Sequence, residues 1–222
     1  MKKLIALLLA ACLMLGLMTT AFAADEKSND IVILYTNDVH CAVDDNIGYA
    51  GLAAYKKEMQ AAYNYVALVD CGDSVQGDVI GTLSKGEYLV DIMNEVGYDF
   101  ASFGNHDFDY SLENLLRLRD RAQYAMLSAN TKFKEGKVYA GEKEYPFGDY
   151  ITKEAAGLKF GIFGVTDDQS AATTLYSNTY DIEWDDDLTT AKTLVSRLKN
   201  EESCDVVIAL SHVHSKNTQL IT

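Results

Sequence analysis

Ile31-Val32-Ile33-Leu34-Tyr35-Thr36 runs straight into Asn37-Asp38-Val39-His40, and the fold is decided at this junction. Six apolar or β-branched residues without alternation read as a strand buried on both faces, which places it in an α/β core. Similar runs recur at Tyr65–Val69, Phe100–Phe103, Tyr124–Ala129, Leu158–Thr166 and Asp205–Leu210. Between them lie segments of helical spacing. Gly51–Tyr63 sets Leu52, Tyr55, Met59 and Ala62 on one side; Ile80–Val96 is closed by Gly97; Ser111–Ala122 has Ser111 as its N-cap; Leu188–Lys199 is amphipathic. Residues 130–157 are polar and aromatic, carry the single proline, Pro146, and read as a hairpin-like excursion. Strands alternating with helices predict an α/β fold, a layered sandwich of mixed β-sheets flanked by helices. With no internal repeat or low-complexity linker, residues 31–222 read as one domain. No closing helix follows the last strand, so the domain reads as incomplete at its C-terminus.

The first 23 residues have the form of a secretory signal: Lys2 and Lys3, an apolar run from Leu4 to Met18, and Ala21-Phe22-Ala23 as the cleavage site. Leu9-Ala10-Ala11-Cys12 resembles a lipoprotein box, but the apolar core continues past Cys12, which favours cleavage after Ala23. The product is expected in the periplasm, cell envelope or medium, with residues 24–30 as a loose leader. Nothing after Ala23 approaches the ~20 apolar residues of a membrane-spanning helix. The chain holds 19 Lys+Arg against 33 Asp+Glu, a net charge of −14, which excludes general nucleic-acid binding because phosphate neutralisation needs clustered cations. Cys41, Cys71 and Cys204 remain after cleavage. They fit no zinc spacing and read as buried small apolar residues.

All 4 histidines sit at or just after strand ends: His40, His106, His212 and His214. In open α/β sheets ligands bind in the crevice beyond the carboxyl ends of the strands. Asp38-x-His40, in an extended segment, would direct both side chains to one side. Taken alone it also fits an Asx turn beside a surface histidine, and Gly72-Asp73 alone is ordinary turn chemistry. Gly104-Asn105-His106-Asp107 is more particular, because a flexible exit precedes an amide, an imidazole and a carboxylate in a row. Asp185-Asp186-Asp187 reads as an acidic first turn of the following helix. The tyrosines read as packing residues.

D-x-H, then G-D, then G-N-H-D, each at a strand end and in that order, resemble the calcineurin-like metallophosphoesterases. The wider matches, Ile31–His40, Asp70–Gly77 and Gly104–Asp109, are similar to the secreted branch containing 5′-nucleotidases, UDP-sugar hydrolases and 2′,3′-cyclic-nucleotide phosphodiesterases. The resemblance implies two divalent metal ions (Zn, Mn, Mg or Co), with Asp38 and His40 on the first, Asp73 bridging, and Asn105 and His212 on the second. Such a pair lowers the pKa of water and holds the attacking and leaving oxygens of an in-line displacement. His106, oriented by Asp109, would donate to a phosphate oxygen, and Asn105 would also face the phosphate. The implied substrate is a nucleotide or nucleotide-sugar. The family's later G-H-x-H segment does not occur, and Ser211-His212-Val213-His214 reads as its earlier single-histidine motif, with His214 a solvated extra. The branch's C-terminal substrate-binding domain is also absent. The resemblance therefore leaves open a non-catalytic metal- or phosphate-binding module. A thiol enzyme using Cys41 or Cys71 is a third reading.

Overall fold

The short apolar runs become strands in a computed structural model that describes residues 26–213. The strands are β1 (Ser28–Thr36), β2 (Tyr63–Asp70), β3 (Phe100–Ala101), β4 (Ala125–Met126), β5 (Thr131–Phe133), β6 (Tyr150–Ala155), β7 (Leu158–Thr166), β8 (Ile182–Trp184) and β9 (Val206–His212). The helices are α1 (Gly48–Ala62), α2 (Val79–Ser84), α3 (Glu87–Val96), α4 (Leu112–Arg121), α5 (Ser170–Thr173) and α6 (Asp187–Asn200). A parallel sheet of order β1-β2-β3-β4 faces a mixed sheet of order β6-β7-β9, and β5 with β8 makes an antiparallel ribbon. Val69, Phe100, Leu127, Phe160, Ile162 and Leu210 fill the space between the sheets. Leu68, Leu89, Met93, Leu115 and Leu118 fill the layer between the first sheet and its helices. Phe163, Leu194 and Leu198 join α6 to the second sheet. Each such side chain contributes roughly 1.5–3 kcal/mol by leaving water. The product is the expected helix–sheet–sheet–helix sandwich, and it sets the carboxyl ends of β1, β2, β3 and β9 beside one another.

Several local expectations are corrected. β1 begins at Ser28 and pairs only with β2 among the described residues, so it is an edge strand; Ile33 and Tyr35 are exposed rather than buried on both faces. The expected helix 80–96 is two helices, because Lys85 (φ 52°) and Gly86 (φ 88°) are both left-handed and end α2 before α3 starts. On α1 the inner face carries Tyr49, Leu52 and Lys56, while Tyr55 points outward. Lys56 takes the inner place because its ammonium group donates to the carbonyls of Val96 and Gly97, the free end of α3. Cys41 and Cys204 are buried as expected, whereas Cys71 is only partly so. Residues 130–157 contain no helix, and β6 does form a hairpin with β7. Ser111 caps α4 by accepting from the Asn114 N–H. Gly97, at φ 81°, closes α3. No helix among the described residues is long and apolar enough to cross a membrane. The signal segment, with its Cys12 box, and His214 lie outside the described residues.

Candidate metal centre

The loops after β1 and β2 extend the strand pairing past the sheet. Asp38, His40 and Cys41 donate their backbone N–H groups to the carbonyls of Gly72, Asp73 and Ser74, each at 3.0 Å. The D-x-H segment is therefore not extended: Asp38 (φ 54°) and His40 (φ 48°) are left-handed, as is Asp73 (φ 55°). Left-handed backbone at non-glycine residues costs about 1–3 kcal/mol each and persists only where the surroundings impose it. Here the inter-loop bonds impose it, and both side chains reach one cavity by a double backbone turn instead of by strand alternation. The loop after β3 closes the third side. A Cβ at Gly104 would overlap the Asp73 carboxylate, so only glycine lets the two loops meet.

Asp38, His40, Asp73, Asn105, His106 and His212 line one open cleft of ≈ 380 Å³, together with Thr173 and Val213. Asp73 is at its centre: Oδ2 lies 3.3 Å from His212 Nε2 and 3.8 Å from His40 Nε2, which is 3.8 Å from Asp38 Oδ1. Asp38, Asp73 and His212 offer ligand atoms within 4.8 Å of one another. Both histidines have Nδ1 against a backbone carbonyl, His212 on Cys71 at 2.9 Å and His40 on Gln76 at 3.1 Å. A carbonyl only accepts, so each ring carries its proton on Nδ1 and turns Nε2 to the carboxylates, the arrangement that holds ligating histidines. Asn105 uses its amide N–H on the Thr173 carbonyl at 3.4 Å, which leaves its amide oxygen to offer. This donor set of imidazole nitrogens and carboxylate and amide oxygens suits divalent cations such as Zn or Mn. A second grouping, Asp167, Asp168 and Asp187, also has carboxylate oxygens within 4.8 Å. Asp186 caps α6 through the Thr189 N–H at 2.7 Å, so the acidic triplet opens that helix as expected.

Charge follows from this geometry. Burial works against a charged His212, but its hydrogen bond to Asp73, the Asp73 charge and the Cys71 carbonyl outweigh it and push the imidazole up to about 9. Burial likewise opposes ionised Asp73, yet His212 and the His106 N–H (2.8 Å) hold its carboxyl below the usual range. His106 Nδ1 meets Asp109 Oδ2 at 2.8 Å, and despite partial burial the Asp109 and Asp73 charges raise the ring's pKa. Burial pushes the Cys41 thiol up to about 12 and the Cys71 thiol to about 11. Neither thiol is ionised near neutrality, which removes the physical basis of a thiol nucleophile.

Sequence reasoning passed over the role of Asp107. Its buried carboxylate accepts four backbone N–H groups: Asp73 and Gly104 on Oδ2, each at 2.9 Å, and Ser74 and Val75 on Oδ1 at 3.0 and 3.1 Å. It ties the G-D loop to the G-N-H-D loop. By residue type alone it resembles another ligand. The cleft-lining Thr173 carried no sequence signal at all.

An α/β sandwich with carboxylates and imidazoles converging at its strand ends defines the class of fold to which this chain belongs, with a candidate metal centre at one edge. The family model for calcineurin-like phosphoesterases matches residues 31–219, and the chain belongs to that family. It is similar to Protein UshA of Yersinia enterocolitica, with 33% identity over 196 residues, 85% of this chain and 34% of that protein. It is likewise similar to the 5′-nucleotidase of Bos taurus, with 30% identity over 205 residues, 82% of this chain and 34% of that protein. The NAD nucleotidase of Haemophilus influenzae has the same fold, with a TM-score of 0.75 at 23% identity over 86% of this chain and 35% of that one. The 5′-nucleotidase precursor from Thermus thermophilus also shares it, at TM-score 0.74 and 21% identity, over 86% of this chain and 38% of that one. The chain thus spans about a third of the length of these relatives.

Proposed function

We propose that this chain is the metal-binding, catalytic part of an exported phosphohydrolase acting on nucleotides or nucleotide-sugars. The observation that carries the reading is Asp73, set between His40 and His212 with its second oxygen on the His106 N–H. Asp38, His40 and Asp73 would hold one divalent ion, and Asp73, Asn105 and His212 a second. When bound, such ions supply an acidified water and neutralise phosphate charge. His106 would then face the phosphate through Nε2, because Asp109 occupies Nδ1, and donate a hydrogen bond to the phosphate oxygen where negative charge develops. Asn105 contributes its amide to the same phosphate. Export rests on the form of residues 1–23. Substrate choice and closure of the site would fall to a further C-terminal domain, in keeping with the greater length of the relatives.

The test is hydrolysis of nucleoside monophosphates, UDP-sugars and cyclic nucleotides with added Mn²⁺ or Zn²⁺. Turnover that Asp73→Ala abolishes is expected; turnover untouched by that change would end the assignment. Stoichiometric Mn²⁺ binding with no turnover would replace it with a metal-binding module.

A further inference from the structure

The cleft-lining Thr173 opens a segment, residues 173–178, that none of the strand-end motifs includes. Three hydrogen bonds join it to the G-N-H-D loop, all spanning 65 or more residues of sequence. Asn105 Nδ2 donates to the Thr173 carbonyl, Thr174 Oγ1 donates to Asp109 Oδ1 at 2.6 Å, and Asn178 Nδ2 donates to the Asp109 carbonyl at 2.7 Å. Asp109 Oδ2 is the oxygen that meets His106 Nδ1. The carboxylate therefore has a donor on each oxygen, and its backbone is fixed as well. A carboxylate anchored by one oxygen turns easily about its last torsion, which is broad and two-fold. The Thr174 hydroxyl removes that freedom with a short, charge-assisted bond. Nothing in its own turn explains this: α5 ends at Thr173, and Thr174 is its extended C-cap, closing the helix through its backbone N–H on Ser170.

We propose that Thr174, supported by Asn178, is a positioning residue that fixes the Asp109 carboxylate and through it the aim of His106. The role deepens the phosphohydrolase reading and rests on it. Thr174→Val keeps the branched shape and removes the hydroxyl, whereas Thr174→Ser keeps the hydroxyl. Loss of one charge-assisted bond corresponds to about a tenfold fall in kcat. Thr174→Val is expected to show that fall with KM and Mn²⁺ affinity unchanged, and to displace the His106 Nδ1–H signal in proton–nitrogen NMR. Thr174→Ser is expected to recover both readouts. Asn178→Ala, checked for folding by circular dichroism, should move the same signal in the same direction. Equal kcat and an unmoved Nδ1–H signal in Thr174→Val would overturn the proposal, as would a Ser variant no better than Val. If the unaltered protein hydrolyses no phosphoester, the phosphohydrolase reading fails, and the NMR signal alone decides whether Thr174 fixes the dyad.

Discussion

Asp107→Asn tests whether the two loops that carry Asp73 and Asn105 are held by one buried carboxylate. The amide matches the carboxylate in shape but retains a single acceptor oxygen, while its NH₂ group faces donors. Of the four N–H groups now satisfied, two would lose their acceptor, either the Asp73–Gly104 pair or the Ser74–Val75 pair. An unsatisfied buried N–H costs roughly 1–3 kcal/mol, so the gross loss is about 2–6 kcal/mol. Part is recovered, because burial and the Asp73 charge already push the Asp107 carboxyl upward and the amide has no charge to desolvate. A net loss of about 2–4 kcal/mol remains, which for a domain of this size lowers Tm by roughly 5–15 °C. Calorimetric melting measures this. Mn²⁺ titration well below the melting range should show weakened binding as well, since the left-handed backbone at Asp73 loses the bonds that hold it. A Tm within about a degree of the parent, or unchanged Mn²⁺ affinity, would refute the reasoning.

The ionisation of buried groups yields two more tests. Burial raises the Asp70 carboxyl to about 7, even though Thr36 and Gly72 donate to it. Between its ordinary value of 3.8 and about 7 the folded chain holds this proton more tightly than the unfolded one, so the group's contribution to stability is present at low pH and lost as pH rises through 7. Asp70→Asn, neutral throughout, should therefore lose less Tm than the parent between about pH 4 and 8, and parallel profiles would contradict this. The second concerns His212, which besides its Nδ1 proton on the Cys71 carbonyl holds a second proton on Nε2, toward Asp73, up to about 9. A metal taken up at Nε2 must displace that proton, so Mn²⁺ binding at about pH 7 should release roughly one proton and strengthen as pH rises toward 9. Titrations in two buffers of different ionisation enthalpy measure the release, and finding none would show that His212 stays outside the metal site.

The residues that meet at the cleft were legible because each belongs to a motif anchored at the end of a strand, and parallel strands deliver their carboxyl ends to one edge. That holds for Asp38, Asp73, Asn105 and His106, and for His212 on the second sheet. The route was less legible than the destination. Strand alternation places Asp38 and His40 on one side, yet both residues leave the strand and turn through left-handed backbone, a conformation dictated by partners 33 or more residues away. Asp107 illustrates the same limit, since a carboxylate that collects backbone N–H groups is indistinguishable in sequence from one that binds a cation. Lys56 misleads in the opposite direction: a charged residue belongs by type on the solvent face, but the carbonyls of Val96 and Gly97 at the end of α3 draw it inward.

What the sequence left out was therefore the scaffold behind the cleft-lining side chains. The motif residues contribute atoms to the cleft, but their aim is set by groups whose partners are remote in the chain: the Cys71 and Gln76 carbonyls on the two imidazoles, Asp107 under Asp73, and Thr174 on Asp109. Each of these depends on a hydrogen bond closed only when strands pair (His40 on Gln76, Asp107 under Asp73) or the two sheets pack (His212 on Cys71, Thr174 on Asp109), so no local pattern could announce it. A ligand and its support should accordingly respond differently to substitution. On the proposed function, loss of a cleft-lining residue would remove a donor from the metal or phosphate, whereas loss of a support would leave every donor in place and spoil its direction. Asp73→Ala and Thr174→Val embody that contrast, because the first should abolish metal binding and the second should leave it intact while turnover falls.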